Sequence, residues 1–473
     1  MKKESWILAV VVIAVIMTAL DSSVVLLAFP DITQTLNTNV SSSIWTILVY
    51  MIVTVVATTQ LGKVGDIYGR GRTFNAGFLV FIVASAICGA APDIWFLVGF
   101  RILQGFGAAM ILANSGAIIA DTFPKGRLGR PYGYLSSGWG AGNLLGIVVG
   151  GFLTTLAGWR YIFYINVPIG IVAFIIGLKF IKSTGTLQRK FDFTGMILLG
   201  AGLLLITFDS LSAASQGVSF IDAALIIVGI LLLVLFLYKE KKKKNALIDL
   251  SVFRKRIVAF SLLAAFFLAI GAFAILFVIT LYLQGIVGLS PLNAALLLAP
   301  GAVIGLLLSP SMGRLSDKIG FRAVATAGVV FFMLSIIAYL TLNIDNFSPL
   351  TVIIASILSG FGTAMFYPSN NAAVMSNSSS RYHGSMNGLL RTLQSTGGLL
   401  SYVVVLYISS VVVPRSVAYQ VFVGTSHLLG GLTSSFVDGI HIALLGSLVL
   451  VIIAGLMSFA RGNYSNRKTR RKS

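Results

Sequence analysis

The chain has 473 residues, of which 57% are hydrophobic and only 10% charged. That balance excludes an ordinary soluble globular protein, where about a quarter of residues are charged. The net charge of +20 is better explained by basic loops at a membrane face than by nucleic acid, and a single cysteine excludes an intramolecular disulfide.

Met1-Lys2-Lys3 ahead of an apolar run from about Trp6 to Ala28 mimics a signal peptide. The run is too long for one and shows no convincing cleavage site, so it is read as the first spanning helix. Fourteen spans are predicted, at roughly 6–29, 44–61, 73–91, 94–120, 132–157, 161–181, 193–212, 219–238, 257–284, 291–312, 323–342, 349–375, 385–413 and 440–460, each near the length that crosses a bilayer. With the N-terminus inside, the even-numbered connections are cytoplasmic. They carry Lys63, Arg70 and Arg72; Lys125, Arg127 and Arg130; Lys182, Arg189 and Lys190; the run from Lys239 to Arg256; and Arg461 to Lys472. Only Arg160 and Arg415 fall in outer loops, as the positive-inside rule requires. The run 239–256 and the cluster from Arg467 to Lys472 are read as topology anchors near anionic headgroups. His427, in the outer loop from about 414 to 439, is read as a solvated residue, and no metal site is expected.

An internal repeat runs through the chain. The turn Gly62-Lys63-Val64-Gly65-Asp66-Ile67-Tyr68-Gly69-Arg70-Gly71-Arg72 has a weaker copy from Gly313 to Arg322. Gly105 to Met110 recurs as Gly360 to Met365, and Gly142 to Leu145 as Gly397 to Leu400. Spans 1–6 therefore match spans 9–14, and spans 7 and 8 are an inserted hairpin. The expected fold is an all-α polytopic membrane protein of two pseudo-symmetric six-helix bundles, an architecture of transporters. Its parts are an N-terminal bundle (1–182), the hairpin (183–238), a basic cytoplasmic linker (239–256), a C-terminal bundle (257–462) and a basic tail (463–473).

Asp21 is the acid deepest in a predicted span, roughly 12 Å below its outer end. A carboxylate there is costly unless paired, hydrated or protonated, so Asp21 is a candidate to bind and release a proton. A static helix-to-helix hydrogen bond is the alternative. Arg101 lies at similar depth in span 4 and is able to tune a neighbouring acid by its field, or to anchor backbone carbonyls; Gln104 shares its helix face. Contact between Arg101 and Asp21 is not readable here. The repeat places Ser356 opposite Arg101, and Ser136 opposite Arg391. Gly138, Gly142, Gly146 and Gly150 form a stripe that lets another helix approach. Asp66 and Arg70 are spaced for a local pair, and Asp66 is also suited to face a helix N-terminus; the second turn keeps Asp317 without the arginine. Asp209 is read as wetted at the end of span 7. Gln104, Asn143, Gln284, Asn293, Asn370, Asn371, Arg391 and Gln394 are candidates for a substrate cavity or for packing hydrogen bonds, and Tyr50, Trp139, Phe366 and Tyr367 for an apolar pocket taking organic cations.

These motifs resemble the major facilitator superfamily, in particular its fourteen-helix drug:proton antiporter branch. Gly62 to Arg72 is similar to the loop motif G-x-L-x-D-x-x-G-R-x-x, and Arg101, Gln104, Gly105 and Gly107 to R-x-x-Q-G-x-G. Leu20 to Val25 with Ala28-Phe29-Pro30, Gly158-Trp159-Arg160 and Ile165-Asn166-Val167-Pro168 are similar to further motifs of the branch. Two positions depart from it: Ile147 replaces the proline of the span 5 antiporter motif, and Leu26 stands where the branch usually has Asn. The resemblance implies an exporter of small amphipathic or cationic compounds that exchanges them for protons by alternating access. Asp21 and Arg101 would do the proton coupling. Gly62, Asp66, Gly69, Arg70 and Asp317 would latch one conformation, and the glycine stripe would pack between the halves; turns that only set topology, and a stripe packed inside its own bundle, are the alternatives. A proton-independent facilitator or an exporter of one metabolite or lipid is the alternative; a non-transporting sensor is a third. No nucleotide loop, metal cluster or catalytic triad spacing is found, so neither enzyme activity nor a cofactor is expected. Expected partners are the substrate, protons and membrane lipids, with no nucleic acid, for a monomer in the plasma membrane with both termini cytoplasmic.

Overall fold

The structure is a computed structural model and describes residues 3–43, 45–183, 192–216, 219–242, 253–343, 347–409 and 433–462. Arg189, Lys190, most of the basic linker, Arg415, His427 and the tail from 463 lie outside the described residues. Among those described, every regular element is helical. They are α1 (Lys3–Thr35), α2 (Val40–Ser43), α3 (Trp45–Tyr68), α4 (Arg70–Gly89), α5 (Ile94–Thr122), α6 (Gly129–Ala157), α7 (Tyr161–Tyr164), α8 (Asn166–Phe180), α9 (Phe193–Gln216) and α10 (Phe220–Lys242). After the linker come α11 (Arg256–Leu281), α12 (Pro291–Ile319), α13 (Phe321–Tyr339), α14 (Pro349–Asn377), α15 (His383–Ser409) and α16 (Thr433–Ala460).

Twelve stretches among the described residues are long and apolar enough to cross a membrane. The other two expected positions also carry helices, α9 and α15; the apolar part of α9, Phe193–Ile206, is shorter. Local chemistry sets several boundaries. The Asp93 carboxylate caps α5 by accepting from the backbone N–H of Trp95 and Phe96, both at 2.9 Å. Ser290 caps α12, with Pro291 at its first position. The two repeated turns share one backbone solution: Gly69 and Gly320 have φ of 105° and 104°, a region that L side chains rarely enter.

Contacts divide the chain into two compact units. One comprises Met1–Leu204, Leu232–Leu250 and Met375–Thr392; the other Leu205–Leu231, Ser251–Val374 and Leu393–Ser473. Within each, small residues set the helix spacing. A Cβ on Gly77 of α4 would lie 3.0 Å from the Gly107 carbonyl oxygen and 2.8 Å from Met110 Cβ on α5. In the second unit a Cβ on Gly328 of α13 would lie 2.9 Å from the Gly362 oxygen and 3.0 Å from Met365 Cβ on α14. The sequence repeat is thus a repeat of contacts.

The glycine stripe of α6 needs a correction. Rather than packing between the halves, it faces α1 of its own unit. Cβ atoms on Gly138, Gly142, Gly146 and Gly150 would meet Val12 Cγ1 at 3.2 Å, the Ile16 oxygen at 2.5 Å, the Leu20 oxygen at 2.8 Å and Val24 Cγ2 at 2.7 Å. The reason is matching periodicity: both helices present a four-residue row, so their backbones close together along the whole contact. With Ile147 in place of a proline, α6 runs unbroken from Gly129 to Ala157.

Candidate functional site

Four helices and one helix start in the first unit converge on a single carboxylate. Asp21, on α1, is fully buried (0% exposed). Arg101 and Gln104 stand three residues apart on α5, so both heads reach the same side. Arg101 Nη1 donates to Asp21 Oδ2 at 2.6 Å, and Gln104 Nε2 to Oδ1 at 2.8 Å. Asn166, the first residue of α8, donates its Nδ2 to Oδ1 at 2.9 Å. A further layer holds the donors. Arg101 Nε donates to the Thr46 carbonyl at 2.8 Å, its Nη1 also to Gln104 Oε1 at 2.7 Å, and Gln104 Nε2 also to Ser85 Oγ at 2.7 Å. The Tyr50 ring covers the guanidinium at 4.2 Å, and Phe163 stands 5.7 Å away. Around this lies an apolar shell that includes Leu20, Val24, Cys88, Leu97, Trp159 and Ile162.

Burial makes this pair consequential. A carboxylate and a guanidinium out of water compensate each other, and removing either charge leaves the other uncompensated. The second unit holds no such pair at the equivalent positions. Ser356 replaces Arg101 and donates its hydroxyl to the Ile353 carbonyl of its own helix at 2.8 Å, with the Leu297 carbonyl, the counterpart of Thr46, at 3.5 Å. Gly271 replaces Asp21, and Val451 fills the space against it, with Cγ2 2.6 Å from where a Cβ would be. The ionic cluster is one-sided.

A second cluster gathers at the turn between α3 and α4. Asp66 is buried and accepts from the backbone N–H of Gly384 and of Ser385, both at 2.8 Å, and from Ser385 Oγ. These are the first turn of α15, so the carboxylate sits on a helix N-terminus, where unpaired N–H groups and the helix dipole favour an anion. Arg70 donates to Asp66 Oδ1 through Nε (2.9 Å) and Nη2 (2.6 Å), to the Ser380 carbonyl (2.6 Å) and, through Nη1, to Asp121. His383 Nδ1 lies 2.8 Å from the other Asp121 oxygen. Gly62 and Gly384 meet backbone to backbone; a Cβ on either would strike the other's carbonyl oxygen. Asn387 extends the contact by donating to the Leu112 and Ala113 carbonyls at 2.9 and 2.8 Å, and Thr59 Oγ1 donates to Thr392 Oγ1 at 2.8 Å.

Other predicted residues are placed as follows. Gln104 and Asn370, read as cavity candidates, have their amides engaged in packing: Gln104 in the Asp21 cluster, Asn370 between the Ser261 carbonyl (3.1 Å) and Arg461 Nη1 (3.0 Å). Asn143 Oδ1 accepts from Ser23 Oγ at 2.8 Å, and Gln394 Nε2 donates to Asn371 Oδ1 at 3.2 Å. The Arg391 guanidinium lies 5.9 Å from the Trp139 ring. Gln284 is half-buried on the π turn Tyr282–Ile286, and Asp317 is half-buried near the end of α12. Tyr50 and Phe366 are buried rather than lining a pocket, because one stacks on Arg101 and the other fills the core of the second unit. Asp209, expected to be wetted, is only 3% exposed. Sequence reasoning missed Ser85, His383 and Asn387, which needed their partners' positions; Asn166 was named only within the motif Ile165-Asn166-Val167-Pro168, without a role. Among the described residues no group of three or more His, Cys, Asp or Glu is placed to hold a metal ion.

Comparison with known proteins agrees with this architecture. The riboflavin transporter RibZ of Clostridioides difficile (strain 630) is 30% identical over 397 residues, covering 83% of this chain and 86% of the relative. The multidrug transporter protein MdtP of Bacillus subtilis (strain 168) is 27% identical over 404 residues, covering 84% and 73%. The crystal structure of the human organic anion transporter MFSD10 superposes with a TM-score of 0.66 at 14% identity, covering 95% of this chain and 99% of that one. Residues 11–402 match the Major Facilitator Superfamily. The chain therefore belongs to the Major Facilitator Superfamily, a group of membrane transporters rather than enzymes, and has a multidrug transporter among its relatives.

Proposed function

We propose that the protein exports small amphipathic or cationic compounds in exchange for protons, by alternating access, with Asp21 as the proton carrier and Arg101 as its electrostatic partner. The observation that carries this reading is the buried, one-sided pair of Asp21 and Arg101, held by Gln104 and Asn166. A proton on Asp21 cancels the charge that balances Arg101 and leaves the bundle interior positive. A cationic substrate is then disfavoured in the same state. Loss of the proton restores the balance, so proton and substrate compete through one field, and such competition is what antiport requires.

The rest of the assignment follows the same scheme. Fourteen spans, with α9 and α10 as an inserted hairpin between two six-helix halves, put both termini on the cytoplasmic side of the plasma membrane. Asp66, Arg70 and the start of α15 latch one conformation, with Asp317 contributing a weaker latch. Asn143, Gln284, Asn371, Arg391 and Gln394 belong to the substrate path. The relative named as a multidrug transporter supports a broad substrate range.

The test is transport in proteoliposomes under an imposed pH gradient, comparing the wild type with Asp21→Asn. Gradient-driven accumulation of a cationic dye should be lost in the variant, and dye binding should weaken and lose its pH dependence, because Asn leaves Arg101 uncompensated as a protonated Asp21 does. Accumulation that survives the substitution unchanged removes Asp21 from the coupling. The second reading, a proton-independent carrier of one metabolite, is favoured by the riboflavin-transporter relative. Riboflavin counterflow that ignores the pH gradient would select it.

A further inference from the structure

The three side chains that meet the Asp21 carboxylate all donate to it: Arg101 Nη1 to Oδ2 at 2.6 Å, Gln104 Nε2 to Oδ1 at 2.8 Å and Asn166 Nδ2 to Oδ1 at 2.9 Å. Such a shell suits the ionised carboxylate, which only accepts. A protonated Asp21 carries an O–H that needs an acceptor, because a hydrogen bond left unmade in a buried cluster is costly. Arg101 has no acceptor to offer. Gln104 is already committed: its Oε1 accepts from Arg101 at 2.7 Å, and its Nε2 also donates to Ser85 Oγ at 2.7 Å. Turning that amide over would break three hydrogen bonds at once. Asn166 differs. It is 0% exposed, yet its Oδ1 has no hydrogen-bond partner among the described residues. Its Nδ2 is engaged with Asp21 alone among them.

We propose that Asn166 reads the protonation state of Asp21: it donates Nδ2 to the carboxylate and, after a half-turn of its amide about the Cβ–Cγ bond, accepts the acid O–H at Oδ1. The inference rests on the reading of Asp21 as the proton carrier. The proton sits on Asp21 Oδ1, since Oδ2 faces the Arg101 guanidinium. With Asn166 unturned, the acid O–H would point at two amide N–H groups and stay unpaired. With Asn166 turned, the amide keeps one bond to Asp21, so the proton arrives without loss of a hydrogen bond there. Either orientation leaves the far end of the amide without a partner among the described residues, as Oδ1 is in the orientation seen. Asn166 is therefore a positioning residue, acting through Asp21 and not on the substrate.

Infrared difference spectroscopy of the purified full-length protein across a pH step tests it. Protonation of Asp21 should give a carboxylic acid C=O band that is missing in Asp21→Asn. In Asn166→Leu that band should move to higher wavenumber, because the O–H has lost its acceptor. With isotope-labelled asparagine side-chain carbonyls, an amide band should also move in the same step, and it should be missing from Asn166→Leu. An acid band at the same wavenumber in the wild type and Asn166→Leu overturns the proposal and leaves Asp21 as the carrier. A wild-type amide spectrum that ignores the step overturns it too, and needs no variant to fold. Absence of any Asp21-dependent acid band overturns the carrier reading itself and this proposal with it. A merely structural Asn166 would change the melting temperature of Asn166→Leu without moving the acid band.

Discussion

The buried ion pair gives the sharpest quantitative expectation. Arg101 is 1% exposed and lies 2.6 Å from Asp21, so Asp21→Asn leaves a guanidinium in the bundle interior with no opposing charge. Breaking such a pair from one side costs about 3–5 kcal/mol. Arg101→Met exposes Asp21 to the same penalty and also frees the Thr46 carbonyl. The combined variant carries no buried charge, so it should be less destabilised than the sum of the singles, with a coupling energy of about 2–3 kcal/mol, near the top of the range for directly touching groups. Unfolding in detergent micelles, followed by helical signal against denaturant for the wild type, both singles and the double, closes the cycle. Strict additivity, within about 0.5 kcal/mol, would refute the claim that the two charges stabilise one another.

Two further expectations come from packing and from the latch. Gly146→Ala drives a methyl to 2.8 Å from the Leu20 carbonyl oxygen, whereas Gly151, five residues along the same helix, has nothing within 4 Å. Thermal melts should show Gly146→Ala destabilised by about 1–3 kcal/mol and Gly151→Ala unchanged or slightly stabilised; equal effects would contradict the α1–α6 contact. Asp66→Asn withdraws the anion from the start of α15, a loss of up to about 2 kcal/mol in a buried geometry. Amide exchange at Gly384 and Ser385 should then speed up by as much as roughly 30-fold, and unchanged protection would show that Asp66 does not hold that helix start.

Much of this was legible in the residues. Apolar runs of bilayer length, split by basic turns, fix helices because the hydrocarbon core demands a satisfied backbone, and continuous runs of about 20 residues are too long and too uniformly apolar for barrel strands. The repeat was legible because close helix approach demands a small residue: Gly107 and Gly362 recur in sequence since each must admit a neighbouring helix. Asp21 and Arg101 stood out because charge is expensive at that depth. Partnership was not legible. The four-residue glycine row in α6 announces that a helix packs there without naming which one, and α1 answers with a row of the same period. Asn370 and Gln104 looked like cavity residues because a sequence shows an amide but not the hydrogen bonds that use it up.

The sequence by itself determined that this is a polytopic helical bundle with an internal repeat, since hydropathy and glycine spacing act locally and need no partner. Only the tertiary structure decided that Asn166 completes the shell of Asp21, that Met375–Thr392 packs with the first unit, and that Gly384 and Ser385 offer their N–H groups to Asp66. These are contacts between residues up to hundreds of positions apart. Their energies depend on distance and burial, which no local pattern encodes.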